Sequence, residues 1–202
     1  MTGHRPRTQQ QRRAETEHRL LEAALALIAE SGSRAMSTAQ VGTTAGYSRG
    51  IVNHQFGSKK ELLRRAVEHA QILVTVPPEA SGLQWILELT RSYLALPAEG
   101  IAGVTRAFLL MWGEAAANDV NVREVYLERD QWFRDLITTA VTDGITAGDI
   151  RADVDATAFA YLLVGMLRGT MLQLMLTPDP AMHERLRAEC LALVRHHLAV
   201  TP

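Results

Sequence analysis

Apolar residues recur along this chain at spacings of three and four, and the strict alternation of a half-buried strand is almost absent. A pattern of that period admits helices and little else. Glycine (14) and proline (7) are sparse among the 202 residues, so they punctuate the helices without breaking them up. The expected fold class is therefore all-α. A first long helix is expected over about 14–31, with Leu20, Ala24, Leu27 and Ile28 on one face and Gly32 ending it. Ser37, with Gln40 three residues on, forms a capping box that opens a short second helix closing at Gly46. Ser48 is placed to cap a third short helix ending near Phe56. Ser58 and Glu61 make a second capping box, and Leu62, Leu63, Ala66, Val67 and Ala70 carry a fourth helix to about 74.

Two prolines in Val76-Pro77-Pro78 mark the clearest boundary. Beyond it lie long amphipathic segments, about 82–96, 100–118, 122–147, 155–176 and 180–199. Turns are expected at Pro97, Asn118-Asp119, Gly148-Asp149 and 177–180. Before the first helix, residues 1–13 read as a flexible basic arm. They contain no apolar stretch of the kind a secretory signal needs. No uninterrupted apolar run approaches the roughly 18 residues of a bilayer span. The longest candidate, 156–176, is interrupted by Arg168 and Gln173, so no membrane partner is expected.

An apolar share of 47% supports a packed core. One cysteine, Cys190, excludes an internal disulfide and fits a reducing cytoplasm. The net charge of -1 conceals an asymmetry: residues 1–75 hold 11 Lys and Arg against 6 Asp and Glu, and residues 76–202 hold 10 against 16. A basic first third joined to an acidic remainder points to a polyanionic partner for the first third.

The residues at 38–56 say how that partner would be met. Two short helices joined at a glycine have the layout of a helix-turn-helix, with 38–45 lying across the DNA backbone and 48–56 entering the major groove. Val52 and Phe56, four apart, form the core side of the second helix. Arg49, Gly50, Asn53 and Gln55 lie away from that pair, flanked by Ile51 and His54. Arg pairs with guanine, Asn or Gln with adenine, and Ile touches a thymine methyl, while Gly50 lets the backbone come close. Lys59 and Lys60, the only lysines, sit in a first helical turn where the helix dipole disfavours cations, a placement that a phosphate would compensate.

The stretch Ala45-Gly46-Tyr47-Ser48-Arg49-Gly50-Ile51-Val52-Asn53-His54-Gln55-Phe56-Gly57-Ser58-Lys59-Lys60-Glu61-Leu62-Leu63 strongly resembles the TetR family of transcriptional regulators, and the likeness runs from about 20 to 70. The resemblance implies base reading by Ser48, Arg49, Gly50, Ile51, Asn53 and Gln55. It implies phosphate contact by Lys59 and by the hydroxyl of Ser37 or Thr38. Tyr47, His54 and Lys60 join these as phosphate candidates. Three positions depart from the family's habit. Asn53 stands where an aromatic is usual, Tyr47 where a small aliphatic is usual, and Gly42 where a helix former is usual, which should loosen the second helix by about 1 kcal/mol.

The resemblance further implies a domain order: the arm 1–13, a DNA-binding domain 14–75, and a helical effector-binding and dimerisation domain 76–202. The expected activity is that of a homodimeric regulator, usually a repressor, that reads a palindromic operator and leaves it when a small molecule binds. Half-sites would lie about 34–36 Å apart or somewhat more. Dimerisation falls to the last two long helices, with Phe159, Leu162, Gly165, Met166, Gly169, Leu191 and Val194 as candidate contacts. Trp85, Leu89, Tyr93, Phe108, Met111, Trp112, Tyr126, Trp132 and Phe133 are candidate effector-lining residues, Met111 and Trp112 foremost. Few charges lie among them, so a neutral or lipophilic effector is expected.

Other chemistries lack their residues. Adjacent His196 and His197 point about 100° apart on a helix and share an ion poorly. No Cys or acid cluster completes a zinc pattern with His183, so neither metal nor cofactor is expected. Phosphate loop, nucleophile elbow and paired carboxylates are all missing, which argues against an enzyme. A small helical enzyme or ligand carrier with an incidental basic face is the competing reading.

Overall fold

The computed structural model describes residues 8–71, 74–95 and 102–200. Among these residues the regular structure is helical, apart from one isolated antiparallel bridge between Ile150 and Ala199. In chain order the helices are α1 (Gln9–Ala35), α2 (Thr38–Ala45), α3 (Arg49–Phe56), α4 (Lys59–Gln71), α5 (Gly82–Ala95), α6 (Ala102–Ala116), α7 (Arg123–Ala147), α8 (Ala156–Leu176) and α9 (Pro180–Leu198). They form two compact units, one holding 8–71 and 106–125, the other 74–95, 102–105 and 126–200.

In the first unit α1 packs on α2 and α4, and α3 packs on both α2 and α4. Leu20, Ala24 and Ile28 of α1, Val41 of α2, Val52 of α3 and Leu62, Leu63 and Ala66 of α4 are fully buried and form its core. Each such large side chain is worth about 1.5–3 kcal/mol of burial. The helix starts earlier than its apolar face suggests. Thr8 caps α1: its hydroxyl accepts from the Gln11 amide at 3.2 Å, and the Gln11 side chain accepts from the Thr8 amide at 2.9 Å. Residues 9–13 are thus helical and not part of an arm, because a capping box and good helix formers extend the core helix outward. Residues 1–7 of the expected arm lie outside the described residues. At its other end α1 breaks at Gly32 (φ 80, ψ 165) before a last short turn.

Residues 106–125 belong to this same unit, and three polar contacts hold them to α1 and α4. Glu114 accepts from the Ser33 amide at 3.0 and 3.2 Å and from the Ser33 hydroxyl. The positive φ of Gly32 requires glycine there, and the Glu114 carboxylate lies 2.6 Å from where a Cβ would stand. Arg34 donates to the buried Asp119 at 2.6 Å, and Lys60 pairs with Glu124.

In the second unit α5 lies against α8 and α9, which pack on each other. Ile86, Leu94, Ile137, Leu167, Met171 and Leu198 are fully buried. By length and composition alone α8 could cross a membrane. Its one charge argues otherwise: Arg168, 2% exposed, makes a two-pronged pair with Asp130 of α7 at 2.8 and 2.6 Å. A core helix with a satisfied ion pair is the physical description of α8. The expected turn at Pro97 lies outside the described residues.

Candidate functional site

The capping box of Ser37 and Gln40 forms as the sequence requires: the Ser37 hydroxyl accepts from the Gln40 amide at 3.2 Å, and the Gln40 side chain accepts from the Ser37 amide at 2.8 Å. Gly46 takes the left-handed conformation (φ 79, ψ 25) and turns the chain toward α3. The Tyr47 amide donates to the Gly42 carbonyl at 2.7 Å, tightening the turn. That closeness accounts for Gly42. A Cβ there would stand 3.0 Å from the backbone of both Tyr47 and Ser48. The expectation that Gly42 merely loosens α2 is corrected: the glycine admits the backbone of the turn.

On α3, Val52 and Phe56 are buried against the core, and Ser48, Arg49, Gly50, Ile51, Asn53 and His54 are exposed. Arg49 has no ion pair with any described residue. Ser48 occupies the N-cap position, yet its hydroxyl caps nothing and is left for another partner. Gln55 differs from the rest of the row. It is half-buried and donates to Glu17 of α1 at 3.0 Å, and Glu17 also receives the Arg65 guanidinium. Spacing could not reveal that bond, because its acceptor lies on another helix.

Among the phosphate candidates, Ser37 is exposed, while Thr38 and Tyr47 are half-buried. The Tyr47 hydroxyl accepts from Thr16 at 3.4 Å. Lys60 is paired with Glu124. Lys59 has partners the sequence did not suggest: its ammonium donates to the Arg34 carbonyl at 3.2 Å and the Met36 carbonyl at 2.6 Å. The negative end of α1 thus supplies part of the compensation that its own helix position lacks. Burial lowers its pKa, against which Asp119 and Glu114 act. Two of three ammonium donors are engaged by these carbonyls.

The effector candidates fall in both units. Phe108, Met111 and Trp112 belong to the first unit, with Met111 fully buried. Trp85, Leu89, Tyr93, Tyr126, Trp132 and Phe133 belong to the second unit. Tyr93 stacks on Phe133, ring centres 6.4 Å apart, and Tyr126 and Leu89 are buried. Trp132 is half exposed, with Arg129 over its ring. Burial raises the Tyr93 pKa, while the adjacent Arg168 acts to lower it.

The dimer candidates also divide. Phe159 and Val194 are core residues of the protomer, Phe159 stacking on His197. Leu162, Gly165 and Gly169 are exposed, and Met166 and Leu191 half-buried. Leu172 and Leu176, also exposed, continue the same row of α8. The row 162, 165, 169, 172, 176 steps by three and four, the seam pattern of paired helices. A Cβ on Gly165 or Gly169 would meet nothing within 4 Å. Cys190 is buried beside Thr170, and His183 meets the Leu94 carbonyl. Among the described residues no group of three or more His, Cys, Asp or Glu could hold a metal.

Residues 20–66 match the sequence model of the tetR family of bacterial regulatory proteins, and residues 83–199 match that of the C-terminal part of BetI-type transcriptional repressors. The chain is 26% identical over 207 residues to the HTH-type transcriptional regulator CymR of Pseudomonas putida, covering 96% of each. Its fold is similar to that of a TetR-family regulator from Rhodococcus sp. (TM-score 0.81, 17% identity, 92% of this chain and 100% of that one). It is also similar to a transcriptional regulator from Saccharomonospora viridis solved in complex with choline (TM-score 0.72, 22% identity, 93% and 100%).

Proposed function

Because this chain belongs to the TetR family and is a DNA-binding transcriptional regulator, not an enzyme, we propose that it is a cytoplasmic homodimeric repressor whose α3 reads a palindromic operator and which a small molecule with a lipophilic body releases. Regulators of this family bind operator DNA and small-molecule effectors, typically as dimers. The observation that carries the reading is the sorting of α3. Val52 and Phe56 lock the helix to the core, and Ser48, Arg49, Gly50, Ile51 and Asn53 are exposed. Those side chains suit base edges. Gln55 joins them by exchanging its bond to Glu17. Ser37, Thr38, Tyr47, His54 and the third donor of Lys59 hold the phosphates, and Lys60 does so on leaving Glu124. Contacts of that kind set position and affinity, not sequence. Residues 1–75 serve DNA, and the rest serves effector and partner. Within the second unit the effector meets Leu89, Tyr93, Tyr126 and Phe133, and the exposed row of α8 meets its copy.

A selection of genomic fragments bound by the full-length protein tests this reading. Enrichment of a palindrome is the expected result. Failure to enrich any sequence, even at low salt, would count decisively against it.

A further inference from the structure

One acid and three arginines lie together in the second unit, and the charges do not balance. Asp130 of α7 is fully engaged by Arg168 of α8, which takes both carboxylate oxygens. Arg134 Nη1 stands 3.9 Å from the same carboxylate. Arg129, one residue before Asp130, has no such partner. Its guanidinium carbon sits 3.8 Å from the centre of the Trp132 ring and 5.7 Å from that of Phe133. No hydrogen bond or carboxylate among the described residues engages it. The arginine is half-buried, and burial together with neighbouring Arg168 pushes its pKa down to about 9. A half-buried cation without a carboxylate partner is costly. A ring contact uses the face of a guanidinium and leaves the in-plane N–H fork open, and that fork matches a carboxylate.

Resting on the effector reading above, we infer that the effector is an organic acid, its carboxylate received by Arg129 and its apolar body lying toward Tyr93 and Phe133. Three guanidiniums stand beside one carboxylate there, and the planar N–H fork of Arg129 matches the two oxygens of a second one. A quaternary ammonium would face three guanidiniums against one carboxylate and be repelled. The stacked Tyr93–Phe133 pair supplies an apolar surface beside the charged end, so the lipophilic body expected from the sequence is kept and gains an anionic head.

The test titrates the full-length protein by calorimetry with a panel of C6–C12 alkanoates and phenylalkanoates, the matching primary amides, and benzyltrimethylammonium. The acids are expected to bind roughly tenfold or more tightly than their amides, and the ammonium not at all. Arg129→Met should erase the preference for acids while melting, without ligand, no lower than the unsubstituted protein. Arg129→Lys should keep the preference with weaker binding, and it carries the test if the first variant does not fold. Equal binding of acids and amides, undiminished acid binding by Arg129→Met, or a melting point several degrees lower for that variant overturns the inference. Binding of amides but not acids overturns it and leaves the effector reading standing. Binding by neither series counts against both.

Discussion

Single residues carry opposing demands in this protein, and Gly42 shows how they are settled. Helix propensity alone would favour alanine at that position by about 1 kcal/mol. The backbone of Tyr47 and Ser48, 3.0 Å from where a Cβ would stand, cannot yield without opening the turn. Gly42→Ala should therefore lower stability by about 1–3 kcal/mol, read as a fall in melting temperature together with weaker operator binding. Lys59 serves two ends as well. Lys59→Ala should reduce the salt dependence of DNA binding by about one unit of slope. It should also lower the melting temperature, because the carbonyls of Arg34 and Met36 lose their donor. A variant that changed stability alone would make the lysine a helix cap only. His69 stands edge-on to His18, 5.2 Å away. Burial, and then the charge of His18, lower its pKa below 6.5, with Glu22 and Glu17 opposing. Neutral His69 is thus favoured by folding, and its contribution is present above pH 6.5 and lost as pH falls through its depressed folded value. Chemical denaturation across this window should show a shallower acid limb for His69→Gln.

Helices repeat the same logic over several turns. The polar row of α3 is legible in sequence because its apolar partners Val52 and Phe56 are four apart, and a short helix has only one way to bury both. On α8 the apolar residues run nearly all the way round, which tells that more than one surface is covered but not which residue covers which. The structure divides them. Phe159, Leu163, Leu167 and Met171 face the protomer's own core, and Leu162 (69% exposed), Leu172 and Leu176 (73% exposed) face outward. Leu162→Asp should convert the dimer to monomers in sedimentation velocity, leave the helical content unchanged, and weaken operator binding strongly. An unaltered sedimentation coefficient would place the interface elsewhere.

At the scale of the whole molecule, effector and operator act on one equilibrium, and their influence must be mutual. Coupling of this kind is typically about 1–3 kcal/mol. Operator DNA should weaken effector binding by the same factor by which effector weakens operator binding, measured by titrating each in the presence of the other. Unequal factors would show that a third species is bound in one titration. Charge is also distributed on this scale. The excess of cations within 1–75 predicts steep salt dependence for DNA binding, and the acidic remainder should add none.

Local chemistry alone determined much of this protein: the helical class, the capping box at Ser37, the Ser58 hydroxyl that accepts from the Glu61 amide, the left-handed turn at Gly46 and the two-sided α3. Each depends on residues within a few positions of one another, where backbone geometry dictates the outcome. Only the tertiary structure decided what needed distant partners. It brought Glu114 to Gly32 and Ser33, gave Lys59 the carbonyl end of α1, turned Gln55 toward Glu17, and committed Asp130 to Arg168 while leaving Arg129 without a carboxylate. A side chain's charge is written in the sequence, but whether that charge is met depends on packing between helices far apart in the chain. For that reason the reading face of α3 was visible from the start, and the cationic centre beside Tyr93 and Phe133 was not.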